Sequence, residues 1–363
     1  MGMACDTILL IGRTILWDAL VEFSLRTAYA AFLDHSKRHK FVTDVRPFAP
    51  TPMDLALVRR LASRQLLTDT TIALTRGINP LEAALLAMVP MADLGFPTLI
   101  MRDGDDGLIG QIRHRVGERS AHIACLAPIP QENLDYVAWL QLIDGLVHTA
   151  GRRGAWTITA EVLEHEHSAF KLLRKAGFVV YARQTIFRRA PGPIRASSSL
   201  ERLHVRPANE IDMIRVQALH AALVPSLIQQ ADPLPEINAG SLVVEVIGEQ
   251  RLLGYLSVIE GKAGLMVKPY LHPDVYEEAE AILEHAINCW SKAERLPMYF
   301  AVRSYQDWLR IPLNLLGLVA GDQQAVFVKH TVARMENGTE PARATLEFGT
   351  LVSSAEISIE PLR

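Results

Sequence analysis

The sequence has little of what marks several protein classes. Only three cysteines occur, Cys5, Cys125 and Cys289, and they lie far apart. So sparse and odd a set makes neither a disulfide framework nor a metal-ligand pair, and suits buried thiols in a reducing compartment. No run of about 18 uncharged apolar residues is present, which argues against a spanning helix. The N-terminus also lacks the basic, apolar, small-residue order of a cleavable signal, so a cytoplasmic location is expected. Neither sign of charge dominates: 37 Lys and Arg stand against 40 Asp and Glu, a net charge of −3. There is no overall basic field for nucleic acid, and the clusters Arg152-Arg153 and Arg188-Arg189 read as solvated surface.

What is present fits globular cores. Hydrophobic residues make up 49% and charged residues 21% of 363 residues, room for two ordinary domains. From Thr14 to Leu33 the pattern is a helix with a broad apolar surface and a polar stripe of Asp18, Glu22 and Arg26 at i, i+4 spacing. Its apolar side needs a cover, either its own domain or a partner or membrane surface. A strand-like run from Phe41 to Phe48 follows, then a helix from Met53 to Leu67 opened by Pro52, and a further helical pattern after Pro80. Asp103-Gly104-Asp105-Asp106-Gly107 alternates acidic residues as a calcium loop would. Gly107 takes the place of the third acidic ligand and no far-end glutamate exists, so the segment reads as a hairpin turn between Pro97–Met101 and Ile109–Val116.

Next come a strand (Ala121–Ala127), a helix (Gln131–Gly151), a strand (Ala155–Val162), a helix (Ser168–Ala176) and one or two strands over Phe178–Arg189. Residues 191–202, with Pro191, Gly192, Pro193 and Ser197-Ser198-Ser199, have linker composition. The expected organisation is an extension (1–40), a first domain (41–190), the linker (191–202), a second domain (203–335) and a tail (336–363). The second domain repeats the first. Val45-Arg46-Pro47 recurs as Val205-Arg206-Pro207, Leu126-Ala127-Pro128 as Val267-Lys268-Pro269, and Gly177 with Phe187 as Gly317 with Phe327. The offsets are 160, 141 and 140 residues, as expected of a duplication with one early insertion or deletion.

The segment Glu166-His167-Ser168-Ala169-Phe170-Lys171-Leu172-Leu173-Arg174-Lys175-Ala176-Gly177-Phe178 carries the most specific signal. Physically it is an amphipathic helix ended by a glycine that permits a left-handed cap, then an apolar strand. It resembles the late helix of the GNAT acyltransferase superfamily, Asn-x-x-Ala-x-x-Leu-Tyr-x-Lys-x-Gly-Phe, at Ala169, Leu172, Lys175, Gly177 and Phe178. The order of elements resembles that family too, over about residues 42–189 and less closely over 203–335. The resemblance implies an α/β (α+β) fold of two tandem GNAT-like domains, each a mixed, mostly antiparallel twisted sheet flanked by helices. It implies acetyl-CoA or another acyl-CoA as co-substrate, no metal, and a small-molecule or protein amine as acceptor. In the family the pantetheine lies in a gap beside the strand before the central helix, and the pyrophosphate sits on N–H groups at that helix's start. By that resemblance the cofactor-binding positions are Cys125, Leu126, Gln131, Leu134, Asp135 and Tyr136.

The sequence departs from the family at these positions. The expected Gln/Arg-x-x-Gly-x-Gly/Ala reads Gln131-Glu132-Asn133-Leu134-Asp135-Tyr136, with side chains at both glycine positions and two added carboxylates. The second copy, His272-Pro273-Asp274-Val275-Tyr276-Glu277, departs further. The family's acid, a tyrosine, is Leu173 in one copy and Leu313 in the other, and its asparagine is Glu166. Glu161 and Tyr136 are the candidate catalytic residues, with Glu164, His165 and His167 as other replacements. Glu164-His165-Glu166-His167 lacks an identifiable third metal ligand and reads as an exposed loop; Cys125 reads as a core thiol. Two functions follow: an acyl-CoA-dependent N-acyltransferase working from the first domain, or a catalytically inactive GNAT-fold protein that binds a metabolite or another protein.

Overall fold

The computed structural model describes residues 44–76, 95–103, 106–132, 135–194, 200–229, 231, 232, 234, 236–249 and 251–331. The helices expected over 14–33 and after Pro80, and the tail over 336–363, lie outside these residues.

In the first half, β1 (Arg46–Pro47) leads to α1 (Pro52–Leu61). Thr51 caps α1 by accepting from the Asp54 N–H, Pro52 opens it, and Leu57, Val58 and Leu61 are buried. The helix ends six residues before the expected Leu67. A single 3-10 turn, Ala62–Arg64, follows, and Leu66–Leu67 is extended as β2, because its backbone finds partners on another strand. Asp69 then caps a short helix that the sequence reading missed, α2 (Thr70–Thr75), accepting from the Ile72 N–H. The hairpin β3 (Thr98–Asp103) and β4 (Asp106–Arg113) is in register Asp103↔Asp106, as the turn reading expected. Then follow β5 (Ser120–Ala127), α3 (Tyr136–Arg152), β6 (Thr157–Leu163), α4 (His167–Lys175) and β7 (Val179–Arg189). On α3 the stripe Ala138, Trp139, Leu142, Ile143, Leu146, Val147 and Ala150 is buried.

The second half runs β8 (Leu203–Pro207), α5 (Met213–Leu223), α6 (Ser226–Gln229), β9 (Leu242–Val246), β10 (Leu252–Glu260), β11 (Leu265–Leu271), α7 (Ala279–Cys289), β12 (Met298–Arg303), α8 (Arg310–Leu315) and β13 (Val319–His330). Pro269 does not end a strand as Pro128 does. It lies inside β11 opposite Leu256, and β11 continues to Leu271.

Two repeated devices hold both halves. Arg46 binds Asp54 with two hydrogen bonds, at 2.7 and 2.8 Å, and Arg206 binds Asp212 likewise, at 2.8 and 2.9 Å. Each buried carboxylate also accepts a backbone N–H, from Ala49 and from Asn209. The repeated Val-Arg-Pro thus encodes a strand-to-helix clasp. Gly177 (φ +83°) and Gly317 (φ +79°) end α4 and α8 in the left-handed conformation that glycine adopts without strain. In each cap the next residue donates back into the helix, Phe178 to the Leu173 carbonyl and Leu318 to that of Leu313, both at 3.0 Å.

Among the described residues the strands form one 13-stranded sheet, ordered β1-β3-β4-β5-β6-β13-β7-β12-β11-β10-β9-β8, with β2 paired to β5 outside this path. Only β5–β6 and β11–β12 are parallel. The final strands have changed places: β13 lies beside β6, and β7 beside β12. They run antiparallel to each other with Gln184 opposite Gln324, equivalent positions in the two copies that share a 2.8 Å side-chain hydrogen bond. A pseudo-twofold axis passes there. Each strand therefore completes the other half's core. Phe327 sits with Leu172, Leu173 and Phe178, edge-on to Phe170 at 4.7 Å, and Phe187 sits with Phe300, Leu313 and Leu318.

Two outcomes follow. Asp212→Asn should cost on the order of 2–3 kcal/mol in urea unfolding, because Arg206 and a buried acceptor lose their shared bonds; an unchanged midpoint would refute the clasp. A fragment ending at Pro193 should dimerise by pairing β7 of two copies across Gln184, read by light scattering. A well-folded monomer would show the exchange to be dispensable.

Candidate functional site

The gap between β5 and β6 is where the family resemblance places pantetheine. The two strands pair only at Ser120–His122 with Thr157–Thr159 and then separate. Beyond that point their facing edges are not free. Because β4 holds the other edge of β5, β2 must lie on the edge toward β6, with Leu66 opposite Leu126 and Leu67 opposite Cys125. Thr68 completes the bridge: its N–H donates to the Ala124 carbonyl at 3.1 Å, its hydroxyl to the Ile123 carbonyl at 2.7 Å, and its carbonyl accepts from the Glu161 N–H of β6 at 2.8 Å. Backbone groups in a splayed sheet need partners, and here the chain supplies them itself.

The start of α3 is likewise occupied. The helix expected from Gln131 opens at Tyr136, where Asp135 takes the cap. The Asp135 carboxylate accepts from the N–H groups of Val137 (3.0 Å) and Ala138 (3.4 Å), donors that would otherwise face an anion. Gln131 and Glu132 are exposed upstream, and Leu134 lies outside the described residues. Tyr136 is half-buried with its ring 3.6 Å beneath the Lys175 ammonium, a cation–π contact.

Glu161 is half-buried, and its carboxylate accepts from the Thr70 N–H at 2.9 Å, bracing α2. Leu173 and Leu313, at the family's tyrosine position, are fully buried in the two cores. Cys125 is buried, and burial pushes its thiol up to about 12. His165 and His167 are exposed, and Glu164 accepts from Arg183 at 2.6 Å. No group of three metal-ligating side chains occurs among the described residues, nor any helix long and apolar enough to cross a membrane.

The second half is built differently at both places. Pro269 has no N–H to give in β11, and its carbonyl accepts from the buried Gln306, just after β12, at 2.6 Å. Where α7 begins, Glu278 makes no capping bond and pairs instead with Arg202. In the first half the residues present do not fit acyl-CoA in the manner the family resemblance implies.

Charged groups gather instead at the junction of the halves. Asp69 lies 2.6 Å from Arg113; burial alone would raise its carboxyl, but Arg113 holds it below the ordinary range. His122 on β5 shares a 2.7 Å hydrogen bond with Thr159, and burial, reinforced by Arg113, lowers its imidazole to about 3. Across the junction, Arg303 at the end of β12 binds Asp232 at 2.9 Å. The sequence reading named none of these groups, because isolated Asp, Arg and His residues in unrelated segments carry no local motif.

A pH dependence follows from His122. Below about pH 6.5 the unfolded chain binds a proton that the folded chain refuses until about pH 3. Stability should fall as pH drops through that window, by at most about 1.4 kcal/mol per pH unit and less because the ring keeps some solvent contact. His122→Asn should flatten this slope in urea titrations at several pH values.

No family model and no curated protein matches the chain. Solved structures do resemble it. A GCN5-related N-acetyltransferase from Sphaerobacter thermophilus is 13% identical, covering 79% of this chain and 96% of its own, with a TM-score of 0.49. A tandem GNAT protein from the clavulanic acid biosynthesis pathway is 12% identical over 80% and 99%, at 0.46. A putative acetyltransferase from Pyrococcus horikoshii is 12% identical over 80% and 90%, at 0.43. The strand order and the paired clasps and caps rest on this chain's own geometry. In fold, the chain is similar to the GCN5-related N-acetyltransferases, as two GNAT-like halves within one sheet.

Proposed function

We propose that this protein is a catalytically inactive GNAT-fold binding module and not an acyl-CoA-dependent N-acyltransferase. The observation that carries this reading is the segment Leu66–Thr70, which bridges β5 and β6 along the backbone edge of Cys125 and Leu126. Asp135 supports it from the phosphate end, placing a carboxylate on the N–H groups that would receive pyrophosphate. The chemistry agrees. Direct acyl transfer to an amine needs a base and commonly an acid for the thiolate. Leucine fills the acid's position in both copies, Glu161 is committed to the start of α2, and Tyr136 lies under Lys175. The halves 41–190 and 203–335, joined by 191–202, form one binding unit in this reading, because each finishes the other's sheet.

Calorimetric titration of CoA and acetyl-CoA into the whole chain tests the proposal. No binding tighter than about 1 mM is expected, and Asp135→Gly should leave that result unchanged because β2 still covers β5. A micromolar Kd for either compound would overturn the proposal in favour of the transferase.

A further inference from the structure

Helix α5 lies on β10 and β11, with Val216, Leu219 and His220 buried beneath it. Helical spacing puts Ile214, Ala218 and Ala221 on the side away from the sheet, with Ala222 and, from the preceding turn, Ile211 beside them. All five are exposed, as are Pro225 and Leu227 just past the helix end. Ile211 is 85%, Ile214 79% and Leu227 81% exposed. Gln217 and Arg215 flank the stripe, and Arg215 is bound to Asp212 and Glu245. The fold does not require such a face, as the first copy shows. Aligned on the clasp carboxylates Asp54 and Asp212, α1 presents Ala56, Arg59 and Arg60 where α5 presents Ile214, Gln217 and Ala218, all of them exposed. A helix apolar on both sides belongs between two layers, and the described residues supply α5 with only one.

Three features point to a second copy of the chain as the other layer. The stripe is self-complementary. In an antiparallel crossing of two α5 helices over Ala218, positions equally far from it on either side meet, so Ile214 faces the partner's Ala222 and Ile211 faces the partner's Pro225. Large side chains thus meet smaller ones, and alanine at the crossing lets the helices approach to about 8 Å. The stripe carries no charge, so a twofold sets no like charges against each other. Arg215 is the sole lysine or arginine within residues 210–229, which leaves little to draw α5 to an anionic lipid surface. The size is also sufficient. From Ile211 to Leu227 the stripe runs about 25 Å. A strip of that length, one helix wide, removes roughly 1,000 Å² from water over both partners, the lower bound of specific interfaces.

We infer that α5 is the interface of a weak, twofold-symmetric dimer of this chain, centred on Ala218, with Ile214 of each copy seated on Ala222 of the other. The dimer stands whether or not CoA binds, and it is separate from the β7–β13 pair, which is internal to one chain.

Sedimentation equilibrium of the full chain should show monomer and dimer exchanging with a Kd of roughly 1–100 µM. Ile214→Ala should raise that Kd at least about tenfold, because both copies lose the same buried contact. The double variant Ile214→Ala/Ala218→Arg gives α5 the outer residues of α1 and sets two guanidinium groups face to face on the axis. It should stay monomeric at about ten times the wild-type Kd, with the melting temperature of the dilute protein unchanged. Should the double variant fold poorly, the single variant decides. A wild-type chain that is monomeric at about 1 mM, a Kd unmoved by Ile214→Ala, or a dimer that survives in a folded double variant would each overturn the proposal. In the monomeric case, a melting temperature lowered by the double variant would assign α5 instead to a cover from within the chain, residues 14–33.

Discussion

The antiparallel pair β7–β13 is the contact on which the remaining structure depends. Each strand leaves its own half, closes the other's sheet and carries a phenylalanine into the other's core. Truncating a buried phenylalanine to alanine costs roughly 3–5 kcal/mol, so Phe187 and Phe327 each tie the stability of one half to the presence of the other. A chain of two simple beads could lose one and keep the second. Here the sheet is continuous through the pseudo-twofold at Gln184 and Gln324, and the Thr75 carbonyl of α2 in the first half accepts from the Ala263 N–H between β10 and β11.

That arrangement brings side chains of both copies to one place. Gln184 and Tyr181 come from β7, Arg303 from β12, and His122 from β5, and none could meet if the final strands stayed at home. Duplication keeps the framework and frees the rest to diverge. The clasps at Arg46–Asp54 and Arg206–Asp212 and the caps at Gly177 and Gly317 persist in both copies, since each satisfies backbone groups that would otherwise be stranded. Leu163 against Arg303 shows the divergence at a position where either residue suits the fold.

The gap between β5 and β6 follows the same accounting. A splayed pair of strands exposes carbonyl and N–H groups that must be met by something. In a transferase of the resembling family a ligand would share that duty. In this chain Leu66, Leu67 and Thr68 perform it with their own backbone, and Glu161 secures the segment at Thr70. An incoming ligand would have to displace bonds already made, which is a steeper requirement than entering solvent-filled space.

The sequence by itself determined whatever has a local cause. The glycines at 177 and 317, the hairpin at 103–106, the apolar stripe of α3, the buried Cys125 and the repeated Val-Arg-Pro were legible, because caps, turns and periodicity are written within a few residues. A mixed, mostly antiparallel sheet in each of two halves was expected from the family resemblance of that element order, but not that the two would join into one sheet. Boundaries were less so: α1 stops at Leu61 and α3 starts at Tyr136, where a distant strand or a single capping carboxylate outweighs helix propensity. Pro269 inside β11 shows that a repeated Pro need not repeat its role. Only the tertiary structure decided the exchange of β7 and β13, the insertion of β2 beside β5, and the meeting of Arg303 with Asp232. Alternation along a strand fixes which side chains share a face, but its hydrogen-bonding edges are the same for every sequence, so the choice of partner is made when the whole chain packs.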